Sequence, residues 1–418
     1  MPRWRWVLTQ MTRRLWVRAT LIGLMGVAAA ILAAVVERFI PWDFPTDIGS
    51  EAVGSILNII ASSMLAVTTF SLSVMTAAYG AATSNVTPRA TRLLIEDRVT
   101  QTVLSTFIGS FLFGVVGIVV LNTGAYGDRG RFVLFVVTVA VIVLIVLSLL
   151  RWIDHLTRLG RVGETTERVE QAARHAIEAR LKEPYLGGSA LREVPADAMP
   201  VAAQVIGYVQ HIDMTALSHC CEQADGDIFV GTIPGTFVYP DTPIAWIAAR
   251  ISKETDDGLP DAVHKAFTIG NERSFDQDPR FGLAVMSEIG SRALSTAIND
   301  PGTAIDVIGR MTRLMGLWAD SRDRGDIDST HPRVHVPALT SDDMFEDAFM
   351  LMARDGAGLI EIQLRIQKSL LALSRLGDAD YRAAALRQAR LARARAEAAL
   401  ALEADKARLR AEADAAVN

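Results

Sequence analysis

Histidine, cysteine, acids and arginine in close array are the side chains that hold metals, phosphates or reacting atoms, and this chain has three such arrays. His331 and His335 stand four residues apart, the spacing of two metal ligands on one helix face. Pro332 and Pro337 argue against a helix there, so the pair reads as part of a solvated loop. His219-Cys220-Cys221-Glu222 has ligand-type residues. Adjacent side chains diverge, however, and no second pair follows at zinc spacing. Between Arg273 and Asp300, arginines, aspartates and an asparagine collect. That set suits either a phosphate-like ligand or a network of helix caps and ion pairs, and the network is the favoured reading. No P-loop, G-x-S-x-G or H-E-x-x-H motif occurs. The expectation is a protein that is not an enzyme and holds no metal and no cofactor.

A fourth array carries hydroxyls in place of charges. Ser55, Ser62, Thr69, Thr76 and Thr83 recur every seven residues, and Ala66, Ser73, Gly80 and Thr87 form a second seven-residue series. No charged side chain occurs from Val53 to Pro88. Two interleaved heptad series read as the a and d positions of one seam. In lipid, small and hydroxyl residues let helices approach closely. Two readings stand side by side: a tight helix–helix interface, or the wall of a polar, uncharged conduit.

The element carrying that stripe must be a membrane helix. Half the residues are hydrophobic and the mean hydropathy is +0.26. Apolar runs at about 16–36, 53–79, 103–121 and 132–150 meet or nearly meet the ~20 residues that cross ~30 Å of hydrocarbon. The first run is longer than a signal peptide's apolar core. Arg3, Arg5, Arg13, Arg14 and Arg18 flank it on one side. Arg89, Arg92 and Arg98 lie between the second and third runs, and Arg151, Arg158 and Arg161 follow the fourth. The opposite loops hold only Arg38, Arg129 and Arg131. This bias places both termini in the cytoplasm and the chain in the inner membrane as a multi-pass protein.

Trp4, Trp6 and Trp16 among the basic residues suit the lipid headgroup layer, and Phe39–Trp42 reads as an outer interfacial anchor. Thr87 is expected to cap a short helix opening at Pro88. Arg89, Arg92, Glu96, Asp97 and Arg98 then lie at the inner mouth of any conduit, although headgroup contact is the plainer role. Gly23 and Gly26 in the first run, and Thr106, Gly109, Ser110, Gly114 and Gly117 in the third, predict close packing. The fourth run lacks a polar face and is expected to look mainly at lipid. No run carries an ionisable group near its centre, so passive flow is expected over pumping.

The remaining chain reads as a cytoplasmic α+β domain. A helical connector spans 153–207, with the fourth membrane helix running on to Lys182. A small β-rich part spans 208–270, with strands at Asp227–Thr232, Thr236–Tyr239 and Pro243–Ala248. Its "PGTFVYPDTPIAWI" is similar in shape to the half-barrels of lipoyl and biotin carriers, without their lysine. A helical part spans 271–377, with a loop over 321–343, and an Ala/Arg/Glu-rich helical tail spans 378–418. The tail suits a coiled coil or an exposed helix. The fold class expected is a mainly α integral membrane protein: four transmembrane helices within 16–152 behind a basic N-terminus (1–15), plus this domain and its half-barrel-like segment. Two neighbouring cysteines fit a reduced compartment. A net charge of −5 implies no nucleic-acid partner.

Three stretches carry a family resemblance: "TTFSLSVMTAAYGAATSNVTPRATRLLIEDRVTQTVLSTFIGSF", "GYVQHID" with "PGTFVYPDTPIA", and "ERSFDQDPRFGLAVMSEIGSRALSTAINDPGTAID". They resemble the bacterial predicted membrane proteins catalogued as domain of unknown function 2254, over the chain to about residue 375. The resemblance marks Pro88, Arg273, Gln277, Asp278, Ser295, Asn299, Asp300 and Pro301 as motif positions. Thr296 departs from the pattern, standing where proline is common in the family. The function expected is a homo-oligomeric channel or passive transporter in contact with membrane lipids. Its lining would be Ser55, Ser62, Ala66, Thr69, Ser73, Thr76, Gly80 and Thr83, with a cytoplasmic vestibule or gate. The alternative is a membrane-anchored scaffold or sensor whose cytoplasmic domain binds a partner or small ligand.

Overall fold

The computed structural model describes residues 3–12, 15–36, 50–95, 97–124, 127–249, 258–319 and 329–415. Arg13, Arg14, Arg38, the Phe39–Trp42 anchor and the first part of the 321–343 loop lie outside these residues. The chain folds as two compact units. One comprises Val7–Ser84 and Thr91–Thr165; the other comprises Met1–Trp6, Asn85–Ala90 and Thr166–Asn418.

The first unit is helical. Its elements are most of α1 (Arg3–Thr12), α2 (Leu15–Val36), α3 (Ser50–Asn85), part of α4 (Pro88–Ile95), α5 (Arg98–Asn122) and α6 (Asp128–Leu156). Three helical stretches among the described residues are long and apolar enough to cross a membrane: Glu51–Ser84, Arg98–Asn122 and Arg129–Leu156. The apolar stretch within α2, Trp16–Leu32, is shorter.

Helix α5 is the central one, and its glycines explain why. A Cβ on Gly26 of α2 would sit 2.5 Å from the Gly109 carbonyl oxygen, and one on Gly109 would sit 2.8 Å from Ile22 Cγ2. A Cβ on Gly114 would come within 3.0 Å of the Leu57 carbonyl. Backbones this close exclude larger residues, so the small-residue face of α5 serves two neighbours. Leu57, Phe113 and Leu134 fill one apolar cluster, and Ile60, Met64, Phe107 and Trp152 fill another. The outer face of α6, from Val136 through Val143 to Leu150, is left uncovered by the chain.

Helix α6 does not run on to Lys182, as the sequence reading expected. It stops at Leu156, and α7 (Val162–Lys182) begins after a turn. Gly160 takes φ +80° in that turn, against Ala78, a left-handed conformation that costs other residues roughly 1–2 kcal/mol.

The second unit contains the β structure. In chain order it continues with β1 (Gly188–Ala190), β2 (Met199–Ala202), β3 (Gly207–Ile212), α8 (Met214–Ala224), β4 (Asp227–Val230), β5 (Phe237–Val238) and β6 (Pro243–Ala248). Then come α9 (Leu259–Ala266), β7 (Phe267–Gly270), α10 (Pro279–Ala293), α11 (Pro301–Ala319), β8 (His331–Val336), α12 (Ser341–Asp355), α13 (Ile360–Leu373), α14 (Ala379–Ala399) and α15 (Glu403–Ala415).

Five strands form a mixed sheet in the order β1-β8-β4-β6-β2, and three form an antiparallel sheet in the order β5-β3-β7. The consecutive strands expected to make a half-barrel are therefore divided between two sheets. Pro234-Gly235 is the cause: Gly235, at φ +97°, donates its N–H to Val209 O at 2.8 Å and delivers β5 to β3. The sheets also recruit β1, β2 and β8 from outside residues 208–270.

The His331–His335 segment is a strand, not a loop. β8 runs parallel to both β1 and β4, and Pro332 falls at the register irregularity opposite Gly188/Ser189. A proline inside a sheet is tolerated at such a bulge because no ladder N–H is required of it there.

Helices α10 to α15 make a separate layer. Leu283, Met286, Val307, Met311, Phe345 and Ile366 are buried within it. The alanine-rich tail belongs to this layer: Ala385, Ala389, Ala392 and Ala396 are buried on one face of α14, which packs on α12 and α13. Tyr381 Oη donates to Met315 O at 2.7 Å, and Gln367 Nε2 donates to Ala389 O at 2.9 Å. The tail is thus neither an isolated coiled coil nor a solvated helix.

Candidate functional site

The stripe on α3 is the first candidate. Val53, Leu57, Ile60, Met64, Ser71, Met75 and Ala82 turn toward the chain's own helices and are buried. At 3.6 residues per turn the opposite face carries Ser55, Ser62, Ala66, Thr69, Ser73, Thr76, Gly80 and Thr83. All eight are exposed. The hydroxyls return to their own helix: Ser62 Oγ donates to Asn58 O at 2.8 Å, Thr69 Oγ1 to Leu65 O at 2.9 Å, and Ser73 Oγ to Thr69 O at 3.2 Å. Thr76 Oγ1 and Thr83 Oγ1 do the same at 2.9 and 2.8 Å. Each such hydroxyl oxygen keeps acceptor capacity. The face is therefore polar, uncharged and narrow, flanked by exposed Ile59 and Phe70 on one side and Leu65 and Leu72 on the other.

The three basic residues assigned to an inner mouth have different partners. Arg89 Nη1 pairs with Glu288 Oε2 at 3.0 Å, which also accepts from Thr87 Oγ1 at 3.0 Å. Arg92 Nη2 donates to Gln10 Oε1 at 3.2 Å. Arg98 is exposed at the start of α5. Thr87 and Pro88 open α4 as expected, with Arg89 N 3.4 Å from Thr87 Oγ1.

The Arg273–Asp278 motif is a buried knot. Asp278 is 1 % exposed and accepts from Arg273 Nε at 2.7 Å and Nη2 at 3.0 Å. It also caps α10 by accepting from Phe281 N at 3.1 Å. Burial pushes its carboxyl above the usual range, and Arg273 opposes that shift. The Arg273 guanidinium lies 5.1 Å from the Phe281 ring centroid. Gln277 Oε1 accepts from Ile212 N at 3.0 Å, and its carbonyl accepts from Arg180 Nη2 at 3.1 Å. Burial lowers Arg180 to about 10, with the Asp278 charge pulling the other way. Trp6, assigned to headgroups from sequence, stacks on His211 at 5.2 Å and donates to Asp276 Oδ2 at 3.0 Å.

The second half of the motif is exposed. Asp300 caps α11 by accepting from Thr303 N at 3.0 Å, with Pro301 in the first turn. Asn299 takes φ +51°, and its N–H donates to Ser295 O at 2.8 Å.

Sequence reasoning passed over one cluster. Asp97 caps α5 and its Oδ2 lies 3.0 Å from His155 Nε2, which also lies 3.0 Å from Thr100 Oγ1. Trp152 stacks on that imidazole at 5.7 Å. Asp97 and His155 come from different helices, so no local spacing announces the pair. It ties the start of α5 to the end of α6.

The cysteines are buried on α8 while His219 and Glu222 face outward, 3.4 Å apart. Burial pushes the Cys221 thiol up to about 12. The reactive thiolate is therefore nearly absent at pH 8. Ellman's reagent is expected to leave both thiols unmodified in the native protein at pH 8 and to label both in denaturant; fast native labelling would contradict the burial. Among the described residues no cluster of three or more His, Cys, Asp or Glu suits a metal.

Three long apolar helices around a glycine-packed centre, in a chain that also carries a sheet-containing unit, define a membrane protein. The chain belongs to the family described as "Predicted membrane protein (DUF2254)", which matches residues 12–372. It is similar to uncharacterized proteins of Mycobacterium bovis (strain ATCC BAA-935 / AF2122/97) and Mycobacterium tuberculosis (strain ATCC 25618 / H37Rv). Each is 33% identical over 127 residues, which is 30% of this chain and 24% of the relative. The match therefore spans about a quarter of those relatives' length. No solved structure matches the chain.

Proposed function

We propose that this protein is a homo-oligomeric inner-membrane channel or passive transporter whose α3 stripes surround a shared path. The observation that carries the proposal is the α3 face left uncovered by its own chain. That face bears Ser62, Thr69, Ser73 and Thr76, while its opposite face is buried. A small, hydroxyl-bearing face in lipid finds its best partner in another helix or in water. One copy supplies too few helices to enclose a path, so several copies must. In this arrangement α2 completes a fourth crossing, both termini lie in the cytoplasm, and the sheet-containing unit forms a vestibule or gate. The protein has no catalytic role.

The self-bonded hydroxyls also favour a second reading, a membrane-anchored scaffold or sensor. Their donors are already satisfied, so the stripe serves equally as a dry seam between copies. Its cytoplasmic unit then binds a partner or small ligand.

Full-length protein in liposomes separates the two. The expected result is a multimeric mass in mild detergent and measurable flux of Na⁺, K⁺, Cl⁻ or a small neutral solute. Thr69→Trp is expected to cut flux at least about tenfold with the multimer intact, because an indole fills a narrow path. A multimer that passes nothing, with Thr69→Trp dissociating it, selects the scaffold. A protein that stays monomeric at every concentration ends both.

A further inference from the structure

A second feature lies wholly within the sheet-containing unit and does not depend on conduction. The turn Val86–Arg89, the C-terminal half of α10 and the residues that follow it line an open cleft of about 690 Å³, with Asp355 of α12 at its edge. Ligand sites commonly fall in this size range.

The charges of the cleft are matched inside the protein with one exception. Glu288 is held by Arg89 and Thr87, each at 3.0 Å. Asp355 is held by Arg354, at 2.7 and 3.1 Å, and by the Ser291 hydroxyl. Arg292 is the exception. It lines the cleft, and its Nε is buried with no hydrogen-bond partner. Neither its guanidinium nor the hydroxyls of Ser295 and Thr296 meet a polar partner among the described residues. A half-buried guanidinium without a counter-charge is unfavourable.

We infer that this cleft binds a phosphoryl group, with Arg292, Ser295 and Thr296 as its donors. A carboxylate presents two oxygens to such a site, whereas a phosphoryl group presents three. One planar guanidinium fork and two hydroxyls supply four donors, enough to reach all three oxygens. The group has two possible sources, the phosphomonoester headgroup of phosphatidic acid or a free phosphorylated small molecule.

Titration calorimetry on the full-length protein in phosphate-free maltoside detergent tests the inference, using inorganic phosphate in one arm and dihexanoyl phosphatidic acid, a phosphomonoester, below its micellar concentration in the other. Saturable binding is expected in at least one arm. Arg292→Ala is expected to weaken it about tenfold or more, and Thr296→Val about fivefold, from the worth of charged and neutral hydrogen bonds. Binding confined to phosphate identifies a free ligand; binding confined to the lipid identifies a headgroup. Should Arg292→Ala fail to fold, Thr296→Val and Ser295→Ala carry the test, since both lie at the cleft surface. Absence of binding in both arms, or equal affinity of wild type and these variants, overturns the inference.

Discussion

Asp278→Ala is expected to destabilise the sheet-containing unit by about 3–5 kcal/mol, the cost of breaking a buried ion pair by removing one partner. The size follows from how much one carboxylate does. It is the bidentate partner of Arg273, the N-cap of α10 and a negative charge that opposes the effect of burial on Arg180. Arg180 is itself 3 % exposed, with Nη1 buried and unpartnered. Alanine leaves two guanidinium groups without compensation and one helix end without a cap. In a unit of this size the thermal transition should fall by roughly 6–20 °C, followed by near-UV circular dichroism of the purified protein in detergent. Asp278→Asn keeps the cap acceptor and loses only the charge, so its transition should lie between the two. A transition unchanged in Asp278→Ala would show that the knot contributes little.

Gly109→Leu is expected to cost roughly 3 kcal/mol, the upper end of the overpacking range, because backbone occupies the space the side chain needs. A Cβ at Gly109 would sit 2.8 Å from Ile22 Cγ2 and 3.0 Å from Ile22 O, and α2 packs along α5. Membrane-inserted yield should drop several-fold, as destabilisation of more than 1–2 kcal/mol generally produces. Gly80→Leu is the informative contrast. Nothing within 4 Å meets a Cβ at Gly80 in its own chain, so the fold of a single copy should tolerate leucine. If copies meet along the α3 stripe, Gly80→Leu lowers the multimer fraction while leaving yield intact. Equal yields for wild type and Gly109→Leu would mean that α2 and α5 separate without consequence.

Several parts of this architecture were legible in the sequence because each rests on local chemistry. Long charge-free runs give helices of membrane length, and the heptad of small residues gives a face. Thr87-Pro88 and Asp300-Pro301 announce helix starts because the cap and the proline are neighbours. The strands at β4, β5 and β6 were visible between their turns. The alanine face of α14 was written in the sequence as well, at Ala385, Ala389, Ala392 and Ala396, but a composition rich in arginine and glutamate obscured it.

What the chain alone could not decide is which distant segments meet. β8 contains a proline and two histidines and reads as loop until Gly188 and Ile228 supply its neighbours. Asp97 finds His155, and Arg89 finds Glu288, across separations that leave no periodic trace. Which faces exist follows from residue spacing alone, since side-chain direction along a helix or strand is set by backbone geometry. Which faces are covered follows from the packing of distant segments: burial depends on a partner surface, as the buried Val53–Ala82 side and the bare Ser62–Thr76 side of α3 demonstrate on one helix.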